Sequence, residues 1–386
     1  MKIAIFTDCF LPQMNGEVTV VVNLVKGLAD KGHKVFIIAP RYKGYREFKY
    51  KNVEVLRIAS VPYIFYPEFR VTSFFNKKIY DLIKREKPDV IHFFAPMPLG
   101  LQAILMSKYF KIPLIGAFNT FNADPQYMKH FRINTEFARK FVWNFIKFHF
   151  NRCDLVTCPS ESAKKEIVKN GFTKPIKVIH NAVDLEIFDK SRFKRVKKKD
   201  NAEGKSLLYI GRMGHEKNII YLLECFKLVL KEMPRTKLVL VGTGPNLEEF
   251  KKKANELEIS KNVFFKGGIP HKKLVKTLVS GNFYLFVTAS TTETFGISTL
   301  ETQASGIPCV AINATGTKDI IKNGYNGYLV KDGNKKEFAK KVLELLKKNS
   351  LREKMGRNAI NESKKYSSRK INKIWINEYR KLINEK

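Results

Sequence analysis

The sequence has no apolar run long enough to cross a membrane and none that resembles a secretory signal. A spanning helix needs about 20 consecutive apolar residues, and no run in this chain approaches that length. The first apolar run, Ile3–Phe6, is interrupted at once by Thr7 and Asp8, whereas the core of a signal sequence needs about 7–15 apolar residues. We therefore expect a cytoplasmic protein whose first residues form a buried strand.

Paired cysteines and metal-binding motifs are also missing. The five cysteines are scattered and form no Cys-x-x-Cys pair, so neither a disulfide framework nor a zinc site is expected. No Asp-x-Asp motif occurs, and no group of His and Asp has the spacing of metal ligands. We expect no metal and no cofactor, and buried free thiols at four of the cysteines.

Acidic residues are scarce relative to basic ones. The chain has 71 Lys and Arg against 36 Asp and Glu, a formal net charge of +35 at pH 7. Three interpretations compete: a nucleic-acid binder, a protein that docks on an anionic membrane, and a general lysine bias without functional meaning. Charge alone does not decide between them.

Short apolar runs alternate with helix-like segments along the whole chain, as in parallel sheets covered by helices on both faces. The predicted strands are Ile3–Phe6, Val35–Ala39, Val53–Ile58, Asp89–Phe93, Pro113–Ala117, Asp154–Cys158, Ile176–Ile179, Leu207–Ile210, Leu238–Val241, Val263–Lys266, Phe283–Val287 and Pro308–Ile312. A length of 386 residues suits two domains of roughly 150–200 residues each.

The alternation pauses once, at His180–Glu203, which is the best candidate for an interdomain linker. We place the domains at 1–182 and 183–367, and expect the helical end of the chain, about 368–386, to pack back on the first domain. The predicted fold class is α/β, with two Rossmann-like domains that face each other across a cleft. Ligands bind beyond the carboxyl ends of such strands, so the chemistry is expected in that cleft.

The segment TETFGISTLETQASGIP, residues 292–308, carries two glutamates eight positions apart. Its pattern predicts a loop at Thr288–Phe295 and a helix at Gly296–Ala304. Glu293 then lies in the loop and Glu301 within the helix. The loop carboxylate suits the hydroxyls of a sugar, the helical one suits a second polyol such as a ribose, and amides at the helix start suit an anion. Apolar neighbours of Glu301 favour a buried carboxylate over one that faces solvent.

The segment YIGRMGHEKN, residues 209–218, places Arg212 and Lys217 just after a predicted strand. Two cations at the carboxyl end of a strand suit a diphosphate, although both residues could be ordinary surface cations. The Asn15–Gly16 turn before the first helix is a weaker phosphate-binding candidate. A similar turn, VGTGP at 241–245, does not complete a dinucleotide-binding fingerprint, so hydride transfer has little support.

With these motifs in this order, the sequence resembles the family-4 glycosyltransferases of the GT-B fold over almost its whole length. The shared elements are the opening strand with its Asn-Gly turn, IHNAVDLEIF, GRMGHEKN, VGTGP, GGIP and TETFGISTLE, the last being the E-x7-E element of the family. The resemblance implies a retaining hexosyltransferase that uses a UDP-sugar as substrate. It is most specific to the diacylglycerol α-glycosyltransferases, the monoglucosyl- and monogalactosyl-diacylglycerol synthases.

The resemblance also implies a role for each matching residue. Glu301 would hold the ribose of the nucleotide, and Glu293 would hold the donor sugar. Arg212 and Lys217 would neutralise the diphosphate, with Gly16 closing on it from the other domain. Gly268, Ile269 and Pro270 would line the base pocket, and the backbone of Phe295, Gly296 and Ile297 would help to hold the sugar. The implied catalytic residues are Arg212, Lys217 and Glu293, and the implied donor-binding set is Gly16, Arg212, Lys217, Gly268, Ile269, Pro270, Glu293, Phe295, Gly296, Ile297, Leu300 and Glu301.

One departure from the family lies on the acceptor side. After the strand that corresponds to Pro113–Ala117 the family usually carries a histidine, and Asn119 stands there in this chain. Asn can donate a hydrogen bond to a sugar hydroxyl but is neither an acid nor a base near neutral pH, so proton transfer at this point is in doubt. His92 is a second acceptor-side candidate, with a structural role as the alternative.

Two aromatic and basic segments of the N-terminal half bear on the acceptor. Residues 61–78 and 137–152 mix Phe and Tyr with Lys and Arg, which suits insertion at a lipid headgroup boundary, although core packing is an equal alternative for the second. With the resemblance, this favours a lipid acceptor, 1,2-diacylglycerol, for a protein that is peripheral on the anionic inner face of the cell membrane.

The retaining reaction leaves two mechanisms open. One forms a covalent glycosyl–enzyme intermediate, and the other is a front-face attack in which the leaving phosphate helps to deprotonate the acceptor. The resemblance favours the second, with Arg212, Lys217 and a helix start stabilising the departing diphosphate. The alternative functions are a glycosyltransferase for a cell-envelope or soluble saccharide, a sugar-nucleotide epimerase, and a non-enzymatic binder of anionic polymers. We expect no nucleic-acid partner, and the sequence does not indicate an oligomeric state.

Overall fold

The computed structural model of the protein describes residues 1–45, 47–63, 66–121, 123–128, 135–188, 204–280 and 283–385, with the backbone alone at 66–68. The chain divides into two compact units. Unit 1 contains Met1–Ala182 together with Ser368–Lys386, and unit 2 contains Val183–Ser367.

Unit 1 is built on a parallel sheet of seven strands in the order β3-β2-β1-β6-β7-β8-β9. Its strands, with a separate antiparallel hairpin of β4 and β5, are β1 (Lys2–Phe6), β2 (Lys34–Pro40), β3 (Val53–Ile58), β4 (Ser60–Tyr63), β5 (Tyr66–Thr72), β6 (Val90–Phe93), β7 (Leu114–Ala117), β8 (Leu155–Cys158) and β9 (Ile176–Val178). The central strands are buried on both faces because helices cover both sides.

The helices of unit 1 begin at polar caps that the sequence supplies. Asn15 accepts a hydrogen bond from the Val18 amide, so the Asn15–Gly16 turn is the start of the first helix, and Thr135 caps a later helix in the same way. The helices are α1 (Gly16–Asp30), α2 (Lys77–Glu86), α3 (Pro98–Phe110), α4 (Pro125–Met128), α5 (Glu136–Phe150) and α6 (Glu161–Lys169). One core lies between the sheet and the layer that contains α2, α3, α5 and α6, and a second lies under α1.

Unit 2 repeats this plan with six parallel strands in the order β12-β11-β10-β13-β14-β15. The strands are β10 (Ser206–Ile210), β11 (Lys237–Val241), β12 (Val263–Phe265), β13 (Leu285–Thr288), β14 (Cys309–Ile312) and β15 (Gly327–Val330). The helices are α7 (Ile219–Glu232), α8 (Leu247–Glu256), α9 (His271–Val279), α10 (Ile297–Ala304), α11 (Thr317–Ile320), α12 (Lys335–Lys347) and α13 (Asn349–Ser363).

The last helix, α14 (Ser368–Asn384), packs on α1 and closes the second core of unit 1. Trp375 and Tyr379 are buried in this contact. The two helices approach each other closely at Gly27 of α1. A Cβ at this position would lie 1.6 Å from the Asn372 Nδ2 atom, so the glycine leaves room for the Asn372 side chain.

The predicted α/β fold with two Rossmann-like domains is confirmed, and all twelve predicted strands form with shifts of a residue or two at their ends. The sequence did not predict β15 or the β4–β5 hairpin. The chain passes from unit 1 to unit 2 after Ala182, within the predicted linker His180–Glu203. Val183 and Phe188 of that segment are buried in the core of unit 2 and belong to it, and residues 189–203 lie outside the described part of the chain. Among the described residues, no helix has the length and apolar character to cross a membrane.

Candidate functional site

The strand order of the unit 2 sheet reverses between the neighbouring strands β10 and β13. The chain proceeds from β10 to β11 and β12 on one side and then returns to β13 on the other. Loops that leave such neighbouring strands separate and form a crevice at their carboxyl ends, where ligands bind in open α/β sheets. Arg212 and Lys217 follow β10, and Glu293 follows β13, so the sequence candidates meet at this switch point.

Both cations at the switch point are already paired with carboxylates. Lys217 Nζ lies 2.6 Å from Glu293 Oε1, and both side chains are largely buried. Arg212 donates from Nε and Nη2 to Glu216 Oε1, at 3.0 and 2.7 Å. The Glu216 carboxylate is buried, so its charge fixes the guanidinium in one orientation. Ser290 and Thr292 of the opposite loop donate to the Glu216 carbonyl, which connects the two loops.

Tyr209, near the end of β10, supports the loop that carries Arg212. Its hydroxyl donates to the Arg212 carbonyl at 3.2 Å, and burial, helped by the charges of Glu293 and Glu216, raises the pKa of the phenol well above its usual value. The phenol therefore stays protonated and remains a hydrogen-bond donor. Gly211 is required beside it, because a Cβ there would lie 2.5 Å from the Tyr209 hydroxyl.

The VGTGP turn packs against the loop that carries Arg212. The Gly211 amide donates to the Val241 carbonyl, and the Met213 amide donates to the Thr243 carbonyl. Gly242 has a φ of 143°, and a Cβ at this position would lie 1.9 Å from the Gly211 carbonyl oxygen. The glycines thus allow two loops to pack at backbone distance.

Helix α10 follows the Glu293 loop, and the residue just before it, Gly296, has a left-handed conformation with a φ of 95°. Gly296 has no side chain with which to cap the first amides of α10, which the helix itself leaves without an acceptor. Phe295 and Leu300 are buried and fix the loop and the helix in the core, while Ile297 is half-buried. The arrangement leaves amides and Glu293 near one another, as an anionic sugar derivative would require.

Glu301 lies on the buried side of α10 and is paired with His271. Its side chain is only 7% exposed, and its Oε1 atom lies 2.6 Å from His271 Nε2. His271 begins α9 directly after Gly268, Ile269 and Pro270, so the pair joins the candidate base-pocket segment to α10. This pairing explains how a carboxylate is tolerated at a buried position.

In unit 1 the acceptor-side candidates have different surroundings. Asn119 follows β7 and is half-buried. Gly16 is exposed at the first residue of α1. His92, by contrast, is fully buried: its Nδ1 atom is 2.8 Å from the Tyr379 hydroxyl of α14, and its ring packs on Trp375. Burial lowers the pKa of His92 to about 3. The proposal of His92 as an acceptor-side residue is therefore corrected to a structural role in the core.

Sequence reasoning missed three residues that support the site: Tyr209, Glu216 and His271. Tyr209 and Glu216 had a sequence signal, since both lie in the segment 209–218 already assigned to the site. The arrangement in unit 2 offers two cations and the start of α10 to an anion, and two carboxylates to hydroxyl groups. Among the described residues, no three His, Cys, Asp or Glu side chains come together as a metal site would require.

Comparison with known proteins agrees with this fold. The family described as Glycosyltransferase Family 4 matches residues 14–187, and the family described as Glycosyl transferases group 1 matches residues 190–362. An alpha-monoglucosyldiacylglycerol synthase from Streptococcus pneumoniae is 31% identical over 318 residues, which cover 81% of this chain and 71% of that protein. A protein of the same name from Acholeplasma laidlawii is 25% identical over 403 residues, covering 100% of this chain and 98% of that protein.

Among solved structures, a sucrose-phosphate synthase from Thermosynechococcus elongatus matches with a TM-score of 0.81 over 100% of both chains, at 17% identity. At this identity the match supports the fold alone. The fold and the family matches together define a hexosyltransferase of the GT-B class. The chain belongs to the family-4 glycosyltransferases, as the relative at 31% identity shows.

Proposed function

We propose that the protein transfers a hexose, glucose or galactose, from a UDP-sugar to 1,2-diacylglycerol and retains the anomeric configuration. The product is an α-glycosyl diacylglycerol, made by a peripheral protein on the anionic inner face of the cell membrane. Two of the relatives described above are named as monoglucosyldiacylglycerol synthases, which supports this acceptor. The observation that carries the proposal is the outer face of α5.

Helix α5 presents a row of phenylalanines to solvent. Phe137, Phe141, Phe145 and Phe148 recur at helical spacing and are 82%, 65%, 41% and 43% exposed. The opposite face of the helix, with Trp143, Ile146 and Phe150, is buried in the core. Core packing is therefore correct for one face of this segment, and the other face remains uncovered within unit 1. Four exposed phenylalanines on one helix face indicate an interaction surface.

The apolar surface extends to the neighbouring elements of the same layer. Helix α3 contacts both α2 and α5, and the Gln102 side chain of α3 donates to the Ser73 carbonyl just before α2. Exposed apolar residues occur on α3, on α5 and in the loop just before α2. We call this set the aromatic surface: Phe74, Phe75, Leu105, Tyr109, Phe137, Phe141, Phe145 and Phe148. In the segment 61–78, Ile64 and Phe65 lie outside the described residues, as do the side chains of 66–68.

The charges around the aromatic surface favour a lipid bilayer as its partner. The three helices α2, α3 and α5 carry eight Lys or Arg residues and only three Asp or Glu residues. Anionic lipids attract such residues by about 1 kcal/mol each, and phenylalanines insert at the headgroup boundary. An acceptor that is itself a lipid would be met on this surface.

The residues of unit 2 provide for the donor in this proposal. Arg212, Lys217 and the first amides of α10 would bind the diphosphate, Glu293 the hexose and Glu301 the ribose. In a front-face transfer the bond from C1 to the phosphate oxygen breaks, and the acceptor oxygen bonds to C1 on the same face. The acceptor proton passes to the departing phosphate, so that UDP leaves with the charge neutralised by the two cations.

The test combines a binding measurement with a product analysis. We expect the protein to sediment at low salt with vesicles of phosphatidylglycerol and phosphatidylcholine, and to convert dioleoylglycerol and UDP-glucose or UDP-galactose to an α-linked product. The variant Phe141→Ser/Phe145→Ser should lose most of this sedimentation while its affinity for UDP is unchanged. Tyr325→Ser, at a similarly exposed aromatic residue of unit 2, is the matched control.

Two results would contradict the proposal. Turnover of a soluble saccharide but not of dioleoylglycerol would replace the lipid acceptor with a saccharide. A β-linked product, or an isolated glycosyl–enzyme adduct, would exclude the front-face mechanism.

A further inference from the structure

Glu301 is a buried carboxylate with one hydrogen-bond partner among the described side chains. Its side chain is 7% exposed, and its Oε1 atom lies 2.6 Å from His271 Nε2. Its Oε2 atom forms no hydrogen bond with a described residue. One oxygen is therefore held from within the protein, and the other is left for a ligand.

The contact is a hydrogen bond from the imidazole to the carboxylate. An ionised carboxylate has acceptor oxygens only, so Nε2 of His271 carries the proton and donates to Oε1 of Glu301. Imidazole can donate from Nε2 in its neutral form and in its protonated form. A hydrogen bond to a charged group is shorter and stronger than one between neutral groups, so it holds the carboxylate in one orientation.

His271 is itself fixed by the start of α9. It is the first residue of that helix, and the amides of Lys273 and Leu274 donate to the Pro270 carbonyl at 2.8 and 2.9 Å. Leu274 of α9 and Leu300 of α10 are buried in the same hydrophobic core. Both helices are therefore anchored in one core, and the distance between the imidazole and the carboxylate is set by the fold.

The pair joins two sides of the candidate donor site. Helix α9 follows β12, at one edge of the unit 2 sheet, and α10 follows β13, beyond the switch point. Residues 268–270, the candidate base-pocket segment, directly precede His271. Gly296, at the start of α10, lies five residues before Glu301, about 7 Å along the helix axis. A nucleotide with its base at the first segment and its phosphates at the helix start would bring its ribose to Glu301.

We propose that His271 is a positioning residue, which orients Glu301 towards the ribose and so makes the protein prefer ribonucleotides to deoxyribonucleotides. His271 holds Oε1, and Oε2 accepts hydrogen bonds from the ribose hydroxyls. Without His271 the carboxylate could adopt other rotamers, and ribose binding would have to restrict them at a cost in conformational entropy. This inference rests on the proposed function in that Glu301 binds the ribose of the donor; it adds the residue that orients the carboxylate and the nucleotide preference that follows.

A purely structural pair between α9 and α10 is the alternative explanation. It accounts for the short contact between His271 and Glu301, and it predicts that loss of the imidazole affects every nucleotide alike. Positioning of Glu301 predicts instead an effect confined to nucleotides that have ribose hydroxyls. The two explanations therefore differ in the ratio of two affinities.

The experiment compares two amide substitutions, His271→Asn and His271→Gln. The amide nitrogen of Gln reaches about as far from the backbone as Nε2 of the imidazole, whereas that of Asn ends near the position of Nδ1. Affinities for UDP and for 2′,3′-dideoxy-UDP, which lacks both ribose hydroxyls, are measured by calorimetry. Lys276→Leu, at an exposed cation in the last turn of α9, is the matched control.

We expect the unsubstituted protein to bind UDP about tenfold more tightly than dideoxy-UDP. His271→Asn should weaken UDP binding about tenfold, the effect of one oriented hydrogen bond, and leave the affinity for dideoxy-UDP unchanged. His271→Gln should restore most of the UDP affinity, and Lys276→Leu should change neither affinity. In a Glu301→Ala background, His271→Asn should have no further effect on UDP binding, because the group that it orients is absent.

Failure of this inference is distinguishable from failure of the proposed function. If His271→Asn weakens the binding of both nucleotides equally, or keeps the full preference for UDP, His271 does not position Glu301 and the inference is overturned. If the unsubstituted protein binds the two nucleotides equally, Glu301 does not bind ribose, and the donor part of the proposed function fails together with the inference. The measurement contains no acceptor, so its result does not depend on the proposed lipid acceptor.

Discussion

At the scale of single residues, each cation of the candidate donor site is held by a carboxylate. Arg212 and Lys217 are bound to Glu216 and Glu293 at hydrogen-bond distance in a largely buried environment. A flexible cation would lose conformational freedom on binding a diphosphate, and a fixed one has already lost it. The two ion pairs therefore lower the entropy cost of binding a diphosphate at this site.

The first prediction concerns Glu216 as a positioning residue. Glu216→Gln should weaken UDP binding about tenfold or more, because a charged hydrogen bond of about 1.5–3 kcal/mol no longer orients Arg212. In calorimetry, the same substitution should have little further effect in an Arg212→Met background. Glu248→Gln, at an exposed glutamate of α8, is the control and should bind UDP normally. Additive losses in the double variant would show that Glu216 acts independently of Arg212.

The second prediction concerns the pH dependence of stability. Burial raises the pKa of Asp8 and of Glu17 to about 8 from 3.8 and 4.5, so the folded protein keeps protons that the unfolded chain releases as the pH rises above those values. These two groups should therefore contribute most to the free energy of unfolding below about pH 4. Their contribution should fall as the pH rises and be lost once the pH has passed about 8.

Asp8→Asn should remove part of that dependence. Scanning calorimetry at about pH 5 and about pH 9 should show the variant gaining about 1–3 kcal/mol relative to the unsubstituted protein at the higher pH, since no charge is then buried. A stability difference that is the same at both pH values would contradict the raised pKa.

Sequence patterns identified most of the candidate site, and the contacts that they did not predict depend on how distant elements pack together. Apolar neighbours on one helix face predicted that Glu301 is buried, and it is. The partner His271 lies thirty positions earlier on a different helix, and its contact with Glu301 depends on how α9 and α10 pack. No local pattern contains that information. The structural role of His92 could not be predicted in the same way, because its hydrogen-bond partner Tyr379 is 287 positions away in the sequence.

At the scale of elements, the packing of α14 on α1 depends on the absence of one side chain. Alanine normally stabilises a helix relative to glycine by up to about 1 kcal/mol. At Gly27 we expect the opposite sign, because the new methyl group would overlap the Asn372 side chain. Gly27→Ala should destabilise unit 1 by about 1–3 kcal/mol, as overpacking does in other cores.

A second substitution checks the cause of this effect. Asn372→Ala, which removes the overlapping atoms, should restore most of the melting temperature of Gly27→Ala in thermal unfolding followed by circular dichroism. If Gly27→Ala is as stable as the unsubstituted protein, α14 does not pack on α1 in the way described.

The elements themselves were predictable where the sequence pattern is strong. Strands such as β1 and β13 are continuously apolar because both faces are buried, and this pattern is readable without the structure. The short strand β15 contains a glycine and half-buried residues, so it lacks the pattern. The β4–β5 hairpin was obscured because its aromatic residues were interpreted for membrane binding alone, whereas aromatic residues also favour strands.

At the scale of the whole molecule, the local distribution of charge is more informative than the net charge of +35. Basic residues exceed acidic ones on the layer that carries the aromatic surface. In unit 2 many surface lysines are instead paired with glutamates, as Lys341 and Lys347 are. A general lysine bias is sufficient for the second pattern, and the combination of cations and exposed phenylalanines in the first is the one that the proposed membrane binding would use.

The chain leaves unit 1 after Ala182 and returns to it at Ser368. The ends of unit 2 are joined side by side, since the Val183 amide donates to the Tyr366 carbonyl at 2.9 Å and Val183 pairs with Ser367 in a β-bridge. A ribosome delivers the chain from its amino end, so every residue of unit 2 emerges before α14 does. Unit 2 can fold while α1 and the ring of His92 are still exposed, and α14, which is synthesised after unit 2, then completes the core of unit 1.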